Sequence, residues 1–227
     1  MNAPTLQNPL SSTRPTNELP IAGIIPFSAT DWPGKLTVTA FTQGCPLRCV
    51  YCHNPQLQGF GSGTHSMAEF LTLLSSRRGL IDAAVISGGE PTAVPGLADA
   101  IASIHDLGFP VGLHTCGYAP ARIAKLVRDP ATTPDWVGLD IKALPRHMHE
   151  VTGCSPRVAT SVWESLQILQ KAEVEITLRT TLWSDSVIER NLNELRSLVK
   201  THSMDTSSEL VIQYARSSDG SPWLPEG

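Results

Sequence analysis

The segment Gly44-Cys-Pro-Leu-Arg-Cys-Val-Tyr-Cys-His-Asn54 contains three of the five cysteines of this chain within eight residues. Cys45, Cys49 and Cys52 are spaced as C-x3-C-x2-C, and thiolates clustered in this way are ligands for soft metals and iron–sulfur clusters. One short loop can bring the three thiolates to a single face of an iron–sulfur cube. Because a [4Fe-4S] cube has four irons, three protein ligands leave one iron open. The segment therefore predicts a cluster with one iron available for chemistry.

Two other uses of clustered cysteines compete with this interpretation. A structural zinc site takes four ligands, usually from two C-x2-C-like pairs, and no second pair follows because Cys116 and Cys154 stand alone. His53 could be a fourth zinc ligand, but it directly follows Cys52, which makes a tetrahedron awkward. A disulfide framework does not suit an odd number of cysteines without a secretory signal. We keep a zinc-stapled interaction module as the alternative from another function class.

The composition is that of an ordinary globular domain. The chain has 227 residues, of which 41% are hydrophobic, and this is enough for one domain with a substantial core. Its 17 basic and 21 acidic residues give a net charge of −4 without long runs of one sign, so no nucleic-acid footprint is visible. No apolar run approaches the roughly 18 residues of a membrane span. We expect a cytoplasmic protein without nucleic-acid or membrane partners.

Two regions differ in composition. Residues 1–20 are rich in Pro, Asn, Ser and Thr and poor in apolar side chains, so they predict a disordered leader. Residues 21–227 form the predicted single domain, which alternates between strand and helix patterns. Ser66 and Glu69 form a predicted capping box for its first helix. The predicted strands and the helices that follow them are Ile21–Phe27, Leu36–Thr42 with a helix from Ser66, Ile81–Ser87 with a helix from Leu97, Val111–Thr115 with Arg122–Arg128, Trp136–Ile141 with Pro156–Lys171, Val174–Leu182 with Val187–His202, and Leu210–Tyr214.

The alternation predicts an α/β fold with a parallel sheet. Six strands alternate with five helices once the entry strand is set aside, and such units are joined by right-handed crossovers. A barrel and an open wound sheet both satisfy this pattern, although the number of units is short of the eight that close a (β/α)8 barrel. In either architecture the functional groups lie at the carboxyl ends of the strands.

Several short segments together resemble a known family. Tyr51 precedes the last cysteine, and Gly88-Gly89-Glu90-Pro91 follows a predicted strand, so the chain resembles the radical S-adenosylmethionine (SAM) enzymes. Asp31-Trp32-Pro33-Gly34 and His53-Asn54-Pro55 resemble the activases of glycyl-radical enzymes, in particular those of anaerobic ribonucleoside-triphosphate reductase and pyruvate formate-lyase. The likeness runs from about Ile21 to about Arg216. It implies a partial, open (β/α)6 barrel, here lacking its last helix, that binds one [4Fe-4S] cluster and SAM.

The resemblance also implies which residues bind the cofactors. Cys45, Cys49 and Cys52 would hold the cluster. The carbonyls of Gly88 and Gly89 and the side chain of Glu90 would accept the amino group of SAM, and Tyr51 would line the adenine side. Asp140 and Lys142 would contact the carboxylate and the ribose, with a rim salt bridge as the alternative. The complete predicted set of SAM-binding residues is Tyr51, His53, Gly88, Gly89, Glu90, Thr115, Asp140, Lys142 and Arg179.

Arg179 of this set and two neighbouring positions outside it leave alternatives open. Arg179 interrupts an apolar strand, so its guanidinium needs either a cofactor carboxylate or an internal ion pair. His114 and Cys116 stand where the related activases carry Asp and Asn in an Asp-Thr-Asn-Gly segment. The Asp of that segment takes part in a monovalent-cation site, so this chain is not expected to keep the site in the same form. We expect Cys116 to be a small, half-buried thiol and not a metal ligand.

The implied reaction is reductive cleavage of SAM, followed by hydrogen abstraction from a glycine Cα of a partner enzyme. The expected partners are a glycyl-radical enzyme, most closely an anaerobic ribonucleotide reductase, and an electron donor such as flavodoxin or ferredoxin. The alternative within the same family is an enzyme that acts on a small molecule, similar to 7-carboxy-7-deazaguanine synthase. Asp31-Trp32-Pro33-Gly34 and the segment from Asp140 to Gly153 favour the activase.

Overall fold

The computed structural model describes residues 18–204, 209–217 and 221–223. Residues 1–17 of the predicted leader lie outside these ranges. The last residues of that predicted leader pack on the domain: Leu19 is buried, and the Glu18 carboxylate accepts a hydrogen bond from the Met67 amide at 2.8 Å. The packed domain therefore includes these residues as well.

One seven-stranded sheet forms the centre of the molecule, and its strands follow one another in chain order. The first strand is antiparallel to the second, and every later pair is parallel. Within the described residues the two edge strands do not pair with each other, so the sheet curves into an open barrel of six parallel strands with one antiparallel entry strand. The strands are β1 Ile21–Ser28, β2 Thr37–Thr42, β3 Ala83–Gly88, β4 Val111–Thr115, β5 Trp136–Asp140, β6 Glu175–Leu182 and β7 Val211–Tyr214.

The α-helices connect the parallel strands and cover the outer face of the sheet. The first helix begins with the predicted capping box, in which the Ser66 hydroxyl accepts from the Glu69 amide and the Glu69 carboxylate accepts from the Ser66 amide. In the described part of the chain that follows β7, no helix is present. The helices are α1 Met67–Ser76, α2 Leu97–Asp106, α3 Pro120–Leu126, α4 Met148–Thr152, α5 Ser161–Lys171, α6 Val187–Arg190 and α7 Leu192–His202.

Three helical regions differ from the sequence-based prediction. The predicted helix from Pro156 to Lys171 begins only at Ser161, because Pro156–Val158 forms a separate 3-10 turn with i to i+3 hydrogen bonds. The predicted helix from Val187 to His202 is interrupted at Asn191, which separates α6 from α7. The short helix α4 was not predicted. A segment of five residues is too short to show a helical period.

The lower part of the barrel interior is filled by two tryptophans. Trp32, in the turn between β1 and β2, stacks on Trp136 of β5 with ring centroids 5.2 Å apart and planes at 15°. A Cβ added at Gly112 of β4 would lie 2.8 Å from the Trp32 ring and 3.1 Å from the Trp136 ring. Glycine at this position therefore makes the space for the stacked pair. The two rings form a floor below the carboxyl ends of the strands.

The register of the sheet brings the strand ends together at one edge. Thr42 pairs with Gly88, Asp140 pairs with Arg179, and Leu182 pairs with Tyr214. The polar segments that follow the predicted strands therefore meet above the tryptophan floor. No helix among the described residues is long and apolar enough to cross a membrane.

Candidate active site at the carboxyl ends of the strands

A cavity of about 690 Å³ lies at this edge of the sheet. Its volume is in the range of small-molecule and cofactor sites. The structure brings every site residue predicted from the sequence to the wall of this one cavity: Cys45, Tyr51, Cys49, Cys52, His53, Gly88, Gly89, Glu90, Thr115, Asp140, Lys142 and Arg179.

The cysteine-bearing loop is held from two sides by backbone hydrogen bonds. On one side, the amides of Arg48 and Val50 donate to the carbonyls of Thr152 and Val151 at 2.7 and 3.0 Å. These carbonyls belong to the last turn of α4, where carbonyls have no partner within the helix. On the other side, the amides of Gly44 and Cys45 donate to the carbonyls of the segment after Asn54. The unpredicted helix α4 therefore acts as a support for the loop.

The three cysteines of this loop are free and partly buried, and all three face the cavity. Burial raises the pKa of the Cys45 thiol to about 12, and burial also raises the pKa of Cys49. Among residues 18–204, 209–217 and 221–223, no group of three or more His, Cys, Asp or Glu side chains converges on a point where one metal ion could bind. A cube spreads its thiolates over separate irons, so three soft ligands on one loop fit it.

The Gly88-Gly89 segment lies in close contact with the backbone that leads into the cysteine loop. A Cβ at Gly89 would lie 2.3 Å from the Gly44 carbonyl oxygen, and a Cβ at Gly88 would lie 2.0 Å from the Thr42 nitrogen. Gly88 also has a φ of +120°, which other residues rarely adopt. The glycines are therefore needed for the approach of two strand ends, and they leave their backbone at the wall of the cavity.

Glu90 is a buried hub of hydrogen bonds. Its Oε1 accepts from the Thr92 amide, the Thr92 hydroxyl and the Thr115 hydroxyl, at 3.0, 2.6 and 2.6 Å. Its Oε2 accepts from the amide and the thiol of Cys116, both at 2.9 Å. The carboxylate thus ties the turn after β3 to the end of β4.

The second polar group is a chain of charges on β5 and β6. Arg179 Nε donates to Asp140 Oδ1 at 2.9 Å, and Lys142 Nζ donates to Asp140 Oδ2 at 3.0 Å. Burial acts to raise the pKa of Asp140, but the charges of Arg179 and Lys142 outweigh it and hold that pKa well below its usual range. Burial acts to lower the pKa of Lys142. The charge of Asp140 acts in the opposite direction, and the pKa of Lys142 is raised. Of the two alternatives for Arg179, the structure contains the internal ion pair.

His114 connects this chain of charges to the floor. Burial, together with the charge of Arg179, lowers the pKa of His114 to about 4, so the ring is neutral. Its Nε2 lies 2.6 Å from the Asp31 carbonyl oxygen and 3.2 Å from Arg179 Nη1. We assign the ring hydrogen to Nε2, which then donates to Asp31, and Nδ1 accepts from the Ser87 hydroxyl at 3.2 Å. The contact with Arg179 is then one of proximity and not a hydrogen bond.

Aromatic rings pack together at Tyr51 of the cysteine loop. The Tyr51 ring lies 5.1 Å from the Trp183 ring, and Trp183 meets Trp223 edge-on at 5.4 Å. Lys142 Nζ lies 5.7 Å from the centre of the Tyr51 ring. His53 Nδ1 lies 3.1 Å from the Arg216 carbonyl oxygen, which joins the cysteine loop to the segment after β7. Tyr51 is buried, and its hydroxyl has no hydrogen-bond partner within the described structure.

Some contributors to the site were missed by sequence reasoning. Cys116 was expected to be a small, half-buried thiol, but it is buried and donates to Glu90. A Cβ at Gly138 of β5 would lie 2.7 Å from Arg179 Cζ, so this glycine makes room for the guanidinium. Trp183 lies directly after β6 and packs on Tyr51. Only the register between β5 and β6 shows the need for Gly138, and no local pattern indicates it.

Comparisons with known proteins agree with this arrangement. A family model described as the radical SAM superfamily matches residues 39–192. A Methanocaldococcus jannaschii protein that carries the name glycyl-radical enzyme activating enzyme is 27% identical over 184 residues, or 79% of this chain and 75% of that protein. The pyruvate formate-lyase-activating enzyme of Clostridium pasteurianum is 28% identical over 190 residues, or 79% of this chain and 76% of that enzyme.

The fold is also similar to solved structures. Streptococcus suis SuiB, crystallised with S-adenosylmethionine, superimposes with a TM-score of 0.58 at 12% identity. That match covers 82% of this chain but only 42% of SuiB, so the chain spans less than half of that structure. At this identity the likeness concerns the fold alone.

The family match includes the cysteine loop, the Gly88-Gly89 segment and the charged end of β5. Members of this superfamily bind a [4Fe-4S] cluster and SAM, which agrees with three free thiols and a cavity of matching size. Since the matched region contains most of the chain, including strands β3 to β6 and most of β2, this protein belongs to the radical SAM superfamily.

Proposed function

We propose that this protein is an activase that cleaves SAM reductively and generates a glycyl radical on a partner enzyme, an anaerobic ribonucleoside-triphosphate reductase. The observation that carries the proposal is the convergence of three free thiols and the polar strand ends on one cavity. The relatives with activase names support the type of reaction. Asp31-Trp32-Pro33-Gly34 and the segment that ends at Gly153 favour an activase over a small-molecule enzyme, and the choice of the reductase as partner rests on the family resemblance alone.

The proposal assigns a role to each group at the cavity. Cys45, Cys49 and Cys52 hold the cluster. The chemistry that cluster and SAM supply when bound is one-electron cleavage of the C5′–S bond of SAM, which gives methionine and a 5′-deoxyadenosyl radical. The residues that we assign to SAM are Tyr51, His53, Gly88, Gly89, Glu90, Thr115, Asp140, Lys142 and Arg179. Of these, Arg179 acts through Asp140, because its Nε is already engaged there.

The open side of the barrel is where a polypeptide substrate could reach the cavity. Ile25 of β1 pairs with Thr39, and Val211 of β7 pairs with Arg179, so both side chains lie on the inner face of the sheet. Each is nevertheless 43% exposed, because these strands do not meet. Inward-facing apolar side chains at an open seam suit a peptide segment that enters from the side. A small-molecule enzyme would be expected to enclose its substrate.

The proposal is tested with the cluster-loaded protein, SAM, a reductant such as reduced flavodoxin or ferredoxin, and the reductase. We expect a glycyl-radical doublet in the electron paramagnetic resonance spectrum of the reductase, together with 5′-deoxyadenosine. The Cys49→Ala variant is the control that should give neither. If 5′-deoxyadenosine forms without the doublet, the partner assignment is wrong. Conversion of a pterin substrate to a deazaguanine product would then support the alternative, an enzyme similar to 7-carboxy-7-deazaguanine synthase.

A further inference from the structure

The hydrogen-bond capacity of Glu90 is already used by the protein itself. Five donors contact its two carboxylate oxygens: three on Oε1, from Thr92 and Thr115, and two on Oε2, from Cys116. An ionised carboxylate offers about four lone-pair sites. Both sites on Oε2 are filled, and Oε1 already takes one donor more than its two sites, so a ligand ammonium finds a free site on Glu90 only if a present donor leaves.

The five donors are not equally easy to displace. Two are backbone amides, which cannot rotate away. The Thr115 hydroxyl is fixed by a further contact, since its oxygen accepts from the Gly117 amide at 3.0 Å. The Thr92 hydroxyl donates at 2.6 Å, the usual length of a strong bond to a charged acceptor. The Cys116 thiol is the remaining donor, and a thiol is a weak one. It can also turn about its Cα–Cβ bond.

We propose that the Cys116 thiol is a replaceable donor on Glu90 Oε2, which gives way to the ammonium group of the amino-acid moiety when SAM binds. This inference rests on the proposed assignment of Glu90 to SAM. Both residues line the cavity, and Cys116 is 8% exposed there. Burial, and next to it the charge of Glu90, raises the pKa of Cys116 well above its usual range, so the thiol keeps its hydrogen at neutral pH.

The proposed displacement predicts whether each of two substitutions at Cys116 strengthens or weakens SAM binding. Cys116→Ala removes the competing donor, so SAM should bind about two- to fivefold more tightly, which is the range of a weak net hydrogen bond. Cys116→Ser installs a stronger donor at the same place, so SAM should bind about two- to fivefold more weakly. If Cys116 served only for packing, the alanine variant would weaken binding through its cavity. The two dissociation constants are measured on cluster-loaded protein by calorimetry, without a partner enzyme.

Infrared spectroscopy follows the thiol hydrogen directly. With the cluster in place, Cys45, Cys49 and Cys52 carry no hydrogen, so Cys116 and Cys154 give the remaining S–H stretching bands. In the Cys154→Ser variant, the S–H band of Cys116 is the one that remains. We expect this band at the low frequency of a hydrogen-bonded thiol, and SAM should move it to higher frequency. 5′-Methylthioadenosine, which lacks the ammonium group, should leave it in place.

The outcomes separate this inference from the proposed function. If the Cys116 S–H band keeps its frequency at saturating SAM, the thiol is not displaced from Glu90 and the inference is wrong. Weaker SAM binding by a Cys116→Ala variant with normal cluster content would also overturn the inference. A Glu90→Gln variant tests the underlying assignment, because loss of the charge should weaken SAM binding and remove the difference between the Cys116 variants. Unchanged binding by this variant would overturn the inference, while the activase proposal would still be decided by the glycyl doublet.

Discussion

Replacement of Gly138 by Ala tests whether the Arg179 guanidinium holds the charged end of β5. The guanidinium carbon would lie 2.7 Å from the new Cβ, and its two terminal nitrogens would lie 2.9 and 3.0 Å away. Real Cβ contacts are not this short, so Arg179 must move. The movement would break its 2.9 Å bond to Asp140 and its contact with the Gly138 carbonyl. The Gly138 backbone itself is not in the left-handed region.

The magnitude follows from two effects. Overpacking of a filled interior costs about 1–3 kcal/mol. Breaking a buried ion pair costs about 3–5 kcal/mol in the fully buried case. The side chains of Arg179 and Asp140 are 10% and 22% exposed, and Lys142 still neutralises Asp140, so the lower part of that range applies. The two costs do not add, because the movement of Arg179 that breaks the ion pair also relieves the overpacking, so we expect a total loss of about 3 kcal/mol. In a protein of this size, such a loss lowers the melting temperature by about 6–12 °C.

The assay is thermal unfolding of cluster-loaded protein under anaerobic conditions, together with calorimetric titration of SAM. Gly23→Ala in β1 is the matched control, because no atom lies within 4 Å of its added Cβ, and its effect should stay within about 0.5 kcal/mol. In an Arg179→Ala background, Gly138→Ala should cost less than about 1 kcal/mol, since the clash is gone. An equal cost in both backgrounds would refute the reasoning.

Two further predictions concern the cluster and the neutral histidine. Cys49→Ala should abolish cluster loading, whereas Cys154→Ser should retain about four irons and four sulfides per chain, as chemical analysis can measure; normal iron content in the Cys49 variant would contradict the ligand assignment. Burial and the charge of Arg179 lower the pKa of His114 to about 4 in the folded protein, while the unfolded value is about 6.5, so the unfolded chain binds more protons between these pH values. Between pH 7 and pH 4, the free energy of unfolding of the wild type should therefore fall by about 2 kcal/mol relative to that of His114→Asn. This figure is reduced because His114 is only partly buried. Denaturant titrations in which the free energies of unfolding of the two proteins differ by the same amount at both pH values would contradict the prediction.

The fold could be predicted from the sequence because each strand is a short apolar run that ends in polar or glycine residues. Ala83–Gly88 and Trp136–Asp140 are examples, and both were placed within two residues of their bounds. Parallel strands put those ends at one edge, so the site residues could be collected before any coordinates were known. The entry strand β1 was also predicted, from a short β-prone run. The prediction that the barrel is open came from the family resemblance.

The contacts within the site could not be predicted, because they depend on register and side-chain direction. Asp140 and Arg179 are 39 residues apart in sequence, and they meet because β5 and β6 pair at these positions. The saturation of Glu90 depends in the same way on where β4 ends. Helix α4 was missed for a different reason: it is short, and its main contribution is the pair of terminal carbonyls that accept from Arg48 and Val50.

The turn Asp31-Trp32-Pro33-Gly34 entered as a family signature, and the structure gives it a physical role. Trp32 fills the barrel below the site, and the Asp31 carbonyl accepts from His114. A neutral His114 beside Arg179 adds no charge, so the group formed by Lys142, Asp140, Arg179 and His114 carries one excess positive charge. An excess cation at the wall of the cavity favours anionic groups there, whether a carboxylate of SAM or a cluster held by three thiolates. The turn therefore holds His114 in place below the site, whereas burial and the charge of Arg179 keep its ring neutral.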